Sequence, residues 1–450
     1  MAGGSGVPIF SGVRRSVVFT MLLVALLAMA SCEMPPLPGA SHPVGRHAPQ
    51  TTPVSPLVNQ TVYWNQNGWL TALRANDGKV RWQTGGWWSA PLHACGGCMV
   101  SYGPLESTLV GDTIYAAGND GQNSAAVYAF ATSDGTIRWQ LPVTGCLAAP
   151  LEPPLVADGV VYVSLTGHFN GSIGCKPTGW VYALRASDGH VLWHVPFSQS
   201  VWPTLALTNG VLIVANSTDN KYPATSWLTG LRASDGKQLW RVTRATDKIE
   251  FAADSGVVII KSTAGIRYDS GLRVEALRAS DGTSLWASAV IPSSDPEYFM
   301  DPLLANGTVY IFSAPGALHA LRASDGREAW RYQTGARSIG TPEVANGRLY
   351  MGVGSTFDVL DATSGTLLSA HLLFDPSAAS NDATYAWSAP IITDSVIFVS
   401  AGGVDCPPGF MCRPDVLDGH LYALDTATGK MLWQYQTPHG YQVTTPILGA

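Results

Sequence analysis

An eleven-residue phrase that returns along the chain constrains the fold more than any other feature. It reads ALRASDGHVLW at residues 183–193, ALRASDGTSLW at 276–286 and ALRASDGREAW at 320–330. Its glycine recurs at eight places, and in seven of them a tryptophan follows four residues later. The step between copies averages about 50 residues, a length typical of propeller repeats. The sequence therefore predicts eight repeated units.

The aligned positions share small or flat residues. The glycines are Gly78, Gly135, Gly189, Gly236, Gly282, Gly326, Gly365 and Gly429. The tryptophans, to which we assign structural docking between units, are Trp82, Trp139, Trp193, Trp240, Trp286, Trp330 and Trp433. Ser369 takes the eighth tryptophan position, and the residue six before each glycine is alanine except at Gly230 and Val359.

The phrase itself predicts a hairpin. Residues 181–184 are apolar on both alternating faces, as in a strand buried on two sides. Asp188 and Gly189 then supply the turn, because glycine adopts the left-handed conformation that a tight turn requires. Strict alternation predicts Val191 and Trp193 on one face, with room for a neighbouring indole at Ala183.

A second phrase upstream of each hairpin, such as PPLVADGVVYVS at 153–164, predicts two further strands. Four-stranded sheets repeated radially form a propeller. We therefore predict an all-β fold, an eight-bladed β-propeller of four-stranded antiparallel blades with tryptophan-docking motifs, over residues 54–450. Residues 55–63 are expected to open blade 1 completely, and the segment 444–448 to dock as a last strand beside that blade.

The repeat resembles the tryptophan-docking repeat of pyrroloquinoline-quinone (PQQ)-type propellers, which carry Ala, Asp, Thr-Gly and Trp in these positions. Asp361 and Asp425 retain the Asp, whereas arginine replaces it in five copies. For quinone dehydrogenases of this fold, the resemblance implies an Asp base, a calcium ion and a quinone held against an adjacent-cysteine disulfide. This chain has no Cys-Cys pair and no CxxCH haem motif. We therefore predict no catalytic residues and neither PQQ nor Ca²⁺ as a cofactor.

The N-terminus predicts export. Arg14 and Arg15 precede an apolar run over residues 17–30 that is short for a membrane span, followed by Ser31 and Cys32. We interpret residues 1–31 as a lipoprotein-type signal peptide, Cys32 as the lipidated residue and 32–53 as a flexible Pro-rich tether. The alternative is ordinary cleavage near Ala30, which leaves Cys32 as a free thiol.

Six further cysteines suggest disulfides, because an even count is typical of an exported protein. The candidates are Cys95, Cys98, Cys146, Cys175, Cys406 and Cys412. We pair Cys406 with Cys412 and Cys146 with Cys175. The segment HACGGC at 93–98 has two interpretations, a Cys95–Cys98 disulfide, which we favour, and a redox or metal motif. No metal site is predicted.

The axial channel offers a few candidate ligands. Glu152, Trp202 and Asp301 stand at the start of predicted inner strands, and the two carboxylates suit calcium. The alternative is that these residues belong to solvated loops. The formal net charge of −6 argues against a nucleic-acid partner.

Two functions remain open. The one we prefer is a non-catalytic scaffold, monomeric and lipid-anchored to a bacterial membrane, facing the periplasm or the exterior, with a protein partner at its loops or channel mouth. In architecture it resembles the lipoprotein propellers of the outer-membrane β-barrel assembly machine. The other is a quinone- or calcium-dependent dehydrogenase of sugars or alcohols.

Overall fold

The computed structural model describes residues 57–66, 69–85, 103–119, 125–143, 147–148, 153–167, 178–198, 204–217, 225–246, 249–263, 271–293, 301–314, 316–336, 339–373, 383–405, 413–436 and 444–449. All of them belong to one of the two units into which the chain divides, residues 39–90 with 101–450. In these ranges no helix has the length and apolarity that crossing a bilayer requires. The predicted signal peptide, tether and Cys32 lie outside them.

The first four blades follow the chain, each beginning with its innermost strand except blade 1. Blade 1 holds β1 (Thr61–Gln66), β2 (Trp69–Arg74) and β3 (Val80–Gly85), after a 3-10 turn at Leu57–Asn59. Blade 2 holds β4 (Gly103–Val110), β5 (Thr113–Asn119), β6 (Ala125–Ala131) and β7 (Ile137–Val143). Blade 3 holds β8 (Leu147–Ala148), β9 (Leu155–Ala157), β10 (Val160–Gly167), β11 (Thr178–Arg185) and β12 (Val191–Ser198). Blade 4 holds β13 (Thr204–Thr208), β14 (Val211–Ser217), β15 (Ser226–Arg232) and β16 (Gln238–Arg244).

The remaining blades repeat the same order. Blade 5 holds β17 (Ile249–Asp254), β18 (Val257–Thr263), β19 (Leu272–Arg278) and β20 (Ser284–Ala287). Blade 6 holds β21 (Leu303–Ala305), β22 (Thr308–Ser313), β23 (Ala317–Arg322) and β24 (Glu328–Gln333). Blade 7 holds β25 (Glu343–Ala345), β26 (Arg348–Val353), β27 (Thr356–Asp361) and β28 (Leu367–Leu372). Blade 8 holds β29 (Ala383–Trp387), β30 (Ile391–Ile392), β31 (Val396–Asp405), β32 (Arg413–Asp425) and β33 (Met431–Gln436), and the last strand is β34 (Ile447–Gly449).

The strands form eight antiparallel sheets, and sequential strands are neighbours in each. Blades 3 and 8 differ in one respect: two short segments share the innermost position, β8 with β9 and β29 with β30. The predicted eight-bladed propeller of four-stranded antiparallel blades is confirmed.

Each outer hairpin contains a β-bulge, which corrects one prediction. In blade 3, Ala183 lies opposite Trp193 but Leu184 lies opposite Val191, so Leu192 is an extra residue. The bulge reverses the alternation, and Val191 packs with the core shared with blade 2 while Trp193 packs with the core shared with blade 4. The prediction that Val191 and Trp193 share a face was therefore wrong.

Blade 1 is completed from the other end of the described chain. β34 pairs antiparallel with β1, with Val62 opposite Leu448, and so becomes the innermost strand of blade 1. This confirms the predicted docking of the last strand. The prediction that residues 55–63 open blade 1 completely was wrong, because the 3-10 turn stands where a first strand was expected.

The apolar cores lie between blades. Eight clusters of buried side chains are formed, one at each junction between consecutive blades, including the junction of blade 8 with blade 1. Val62 of β1, for example, packs with Phe398 and Leu421 of blade 8. Since each blade has cores on two faces, the ring of junctions is closed.

Candidate interaction surface

The tryptophans of the repeated phrase bond seven of the eight blades to the next blade. Each indole Nε1–H donates to a backbone carbonyl in the hairpin turn of the following blade, and the seven distances are 2.7–3.1 Å. The donors Trp82, Trp139, Trp193, Trp240, Trp286, Trp330 and Trp433 bond, in that order, to Thr132, Ala186, Ala233, Ala279, Ala323, Ala362 and Ala75. The indole also lies flat against the turn glycine, as Trp139 does on Gly189.

The small residue of the phrase makes room for the tryptophan of its own hairpin. Ala183 lies directly opposite Trp193, and Gly230 lies opposite Trp240. Blade 7 exchanges the sizes, because Val359 lies opposite Ser369. The imidazole of His371 there covers Gly429 of blade 8, the position that an indole covers elsewhere.

The arginines that replace Asp in the phrase hold the turn from outside. Arg185 lies 2.8 Å from Asp188, and the same pair recurs in blades 1, 4, 5 and 6. In blade 7, Asp361 instead accepts hydrogen bonds from the backbone N–H groups of Thr363 and Ser364. Two chemistries thus stabilise one turn. The polar groups of the phrase therefore bond within and between blades.

Most of the predicted site residues fall outside the described ranges. These are Cys32, Cys95, Cys98, Cys146, Cys175, Cys406, Cys412, Glu152 and Trp202. Asp301 is described, and it lies just before β21 with only 4% of its surface exposed. Asp301 is therefore not a solvated loop residue. Within the described ranges no three His, Cys, Asp or Glu residues lie close enough to share a metal ion.

A Ser–His–Glu arrangement in blade 6 was not predicted, because its members are scattered in the sequence. Ser313 Oγ lies 2.8 Å from His319 Nε2, and His319 Nδ1 lies 2.6 Å from Glu328 Oε2. The order matches a nucleophile, a base and an orienting acid. Ser313 and His319 are only 3% and 4% exposed. The arrangement links β22, β23 and β24, and both its serine and its imidazole are buried.

The bulges place one extra side chain per blade on the outermost strand. These eight residues, the bulge ring, are Arg81, Arg138, Leu192, Leu239, Leu285, Ala329, Leu368 and Leu432, and all are exposed. Five are leucines. The prediction for this strand concerned Val191 and Trp193 and did not address Leu192 between them. A leucine that a bulge turns outward contributes nothing to the blade cores, so it is available for contact with another molecule.

The outer strands of blades 7 and 8 are the most apolar part of this surface. We define the blade 7–8 rim as Leu367, Leu368, Leu372, Met431 and Leu432, which are 42–61% exposed. Neither β28 (LLSAHL) nor β33 (MLWQYQ) carries a charged residue or a proline. In the described sheets both are edge strands. Uncharged, proline-free edges lack the usual protection against pairing with another chain, which is typical of a docking surface.

Comparison with known proteins identifies the family. The family described as outer membrane protein assembly factor BamB matches residues 66–170, 174–297 and 270–388, more than half of the chain. The outer membrane protein assembly factor BamB of Moranella endobia (strain PCIT) is 29% identical over 148 residues, which are 32% of this chain and 32% of that protein. The alignment therefore spans about a third of that relative's length.

Solved structures agree on the architecture. BamB from Moraxella catarrhalis matches with a TM-score of 0.51 and 13% identity, over 80% of this chain and 96% of that one. The quinohemoprotein alcohol dehydrogenase ADHIIG from Pseudomonas putida HK5 matches with a TM-score of 0.55 and 14% identity, over 81% and 71%. At such identities both likenesses show the fold alone. Since the family match covers most of the repeats, the chain belongs to the BamB family of PQQ-type repeat propellers.

Proposed function

We propose that this protein is a non-catalytic scaffold of the bacterial envelope that assists outer-membrane protein assembly by binding a protein partner at the blade 7–8 rim. The observation that carries the proposal is the pair of uncharged apolar edge strands in a member of the BamB family. The names of its relatives refer to assembly of outer membrane proteins. Cys32, as the lipidated residue, would hold the scaffold at a membrane.

The rim suits a partner that presents an extended segment. Leu367, Leu368 and Leu372 are exposed along β28, whose outer edge has no neighbouring strand in the described sheet. An incoming strand would bond to the free backbone groups and cover the leucines, which is β-strand addition. The apolar contacts would favour a partner segment with alternating hydrophobic residues.

Photocrosslinking at single positions tests the proposal. A photoreactive residue at Leu368 is expected to crosslink to an envelope protein in cells, and Leu372→Lys is expected to abolish the product because an edge lysine blocks strand pairing. In a strain that lacks the native gene, the same variant is expected to lower the content of outer membrane proteins.

Leu239 is the matched control for Leu368, because it is the bulge residue of blade 4 as Leu368 is of blade 7, and Arg241 lies two residues after it in the same strand. We expect no product from Leu239 and normal outer membrane content for Leu239→Lys. Crosslinking at Leu239 with none at Leu368 would move the partner away from the rim. Unchanged outer membrane content for Leu372→Lys would contradict the assembly role.

The dehydrogenase alternative stays a prediction with a test of its own. Purified protein mixed with calcium and PQQ would show cofactor absorbance and dye reduction if the alternative is right. Loss of that signal in an Asp301→Asn variant would assign the channel mouth as its site.

A further inference from the structure

A cleft of about 640 Å³ opens between blades 1 and 2, beside the point where the described chain begins. Its floor contains the docked Trp82 with Tyr63, whose ring centroids lie 5.7 Å apart. Its walls include Arg74, Lys79, Arg81, Thr132 and Ser133. The volume is in the range of small-molecule sites.

The lining is cationic in a protein with a net negative charge. It contains three cations, Arg74, Lys79 and Arg81, and no acidic residue. Asp77, just outside, lies 2.7 Å from Arg74 and 4.0 Å from Lys79. Arg81 has a carbonyl oxygen, that of Asn59, at 3.5 Å. The cleft therefore has more positive charges than neighbouring carboxylates, three against one. The side chain of Lys79 is 73% exposed.

The other blades provide an internal comparison for this charge. Arg138 of blade 2 occupies the same bulge position as Arg81, and it makes a bidentate ion pair with Asp112 at 2.6 and 2.8 Å. The equivalent of Asp112 in blade 1 is Gln60, because Ala75 N–H donates to Gln60 just as Thr132 N–H donates to Asp112. Blade 1 thus keeps the arginine but lacks the carboxylate that neutralises it.

The combination of cations, rather than Lys79 alone, distinguishes blade 1, because blade 4 also has a lysine, Lys237, at the position of Lys79. The position of Lys79 is threonine in blade 2, and the position of Arg81 is leucine in blades 3, 4 and 5. Since every blade folds with its own residues at these positions, the fold does not require the basic set. Only blade 1 combines Arg, Lys and Arg at the three positions.

We propose that this cleft binds the phosphate of an anionic lipid headgroup. Arginine and lysine side chains with the hydroxyls of Thr132 and Ser133 suit phosphate oxygens. The choice of a lipid as the source of this phosphate rests on the lipid anchor in the proposed function. Cys32, as the proposed lipidated residue, would hold the chain at a membrane, where lipid headgroups carry phosphate.

Titration of the full chain in neutral detergent with soluble headgroups tests the proposal. We expect glycerophosphoglycerol to bind at least about tenfold more tightly than zwitterionic glycerophosphocholine, with an affinity that falls as salt increases. Gln60→Asp and Arg81→Leu are each expected to weaken binding roughly tenfold, because the new carboxylate would pair with Arg81 and the leucine would remove its charge-assisted contact. These substitutions copy residues that other blades carry, so melting temperatures should be unchanged.

Lys237→Thr is the control for the loss of a positive charge in another blade, since Lys237 has the position of Lys79 in blade 4, beside Leu239. It should bind like the wild-type protein. Equal binding by the wild type and Gln60→Asp would overturn the site. Inorganic phosphate binding as tightly as glycerophosphoglycerol would overturn the headgroup as its occupant. Neither readout depends on Cys32 or on the blade 7–8 rim, so this proposal and the scaffold proposal fail separately.

Discussion

At the scale of single residues, glycines with the same backbone conformation do different work. Gly189 has φ +73° and Gly159 has φ +74°. A Cβ at Gly189 would lie 2.6 Å from Trp139, whereas a Cβ at Gly159 would meet nothing within 4 Å. The two positions separate the conformational cost of the turn from the space that the docked indole requires.

Gly189→Ala is therefore expected to destabilise the protein more than Gly159→Ala. Both variants carry the cost of a left-handed alanine, about 1 kcal/mol, and Gly189→Ala adds overpacking of about 1–3 kcal/mol. The shift in the urea unfolding midpoint measures the difference. Equal shifts of the midpoint would mean that the indole of Trp139 moves aside without loss of stability.

Glu343 of β25 predicts a pH dependence. Burial raises the pKa of its carboxyl to about 7, opposed by the backbone N–H of Val344. A carboxyl whose pKa rises on folding contributes most stability below its unfolded value of 4.5, and that contribution is lost as pH rises through 7. Glu343→Gln should thus be more stable than the wild type at alkaline pH, by about 1–3 kcal/mol, and similar in acid. Thermal melts across this range check it, and parallel pH curves would contradict it.

At the scale of strands, blade 5 carries a buried ion pair across its two innermost strands. Lys261 of β18 lies opposite Glu250 of β17, their charged atoms are 2.5 Å apart, and both side chains are buried. An ion pair between opposite residues favours this register of the two strands. Replacing both charged residues by apolar residues of similar volume is often neutral for stability, whereas replacing only one is not.

Lys261→Met alone is expected to cost about 3–5 kcal/mol, because it leaves the Glu250 carboxylate buried beside an apolar side chain. Glu250→Leu combined with Lys261→Met should recover most of that loss. Denaturant unfolding of the two single variants and the double variant gives the coupling. Additive losses would show that the two charges are stabilised independently.

The bulge shows where sequence reasoning reached its limit at this scale. Repetition was enough to predict strands, turns and blade number, because eight copies had to share one solution. The facing of Val191 was mispredicted because alternation assumes an even ladder, and the turn inserts Leu192 into it. The outward position of Leu368 and Leu432 in the rim was missed for the same reason. The charge of the blade 1 cleft depends on Gln60, which precedes the aligned hairpin and has meaning only when the blades are compared in space.

At the scale of the whole molecule, two different contacts close the ring at the junction of blade 8 with blade 1. β34 supplies the innermost strand of blade 1, and Trp433 of blade 8 donates to Ala75 at 3.1 Å. Thr444 reinforces this junction, since its carbonyl accepts hydrogen bonds from Trp64 at 3.1 Å and Ser400 at 2.5 Å. The closing junction thus combines a strand pair with the docking contact that other junctions use.

Deletion of residues 447–449 is expected to lower the melting temperature by removing the strand pair and the apolar contacts of Ile447 and Leu448, worth about 3 kcal/mol or more. Limited proteolysis should then cleave blade 1 first. A synthetic peptide with the sequence TTPILGA should restore protection. An unchanged melting temperature would mean that the Trp433 contact closes the ring by itself.

The pairing of β34 with β1 also determines that blade 1 is completed last during synthesis. Tyr63 lies opposite Ile447 in that sheet, so the earliest strand described cannot obtain its inner neighbour until residues 447–449 are present. During synthesis from the N-terminus, blades 2 to 7 obtain all their strands while β1 of blade 1 still lacks its inner neighbour. In a chain that lacks residues 447–449, the inner edge of β1 would stay unpaired, and an unpaired strand edge favours association with other chains.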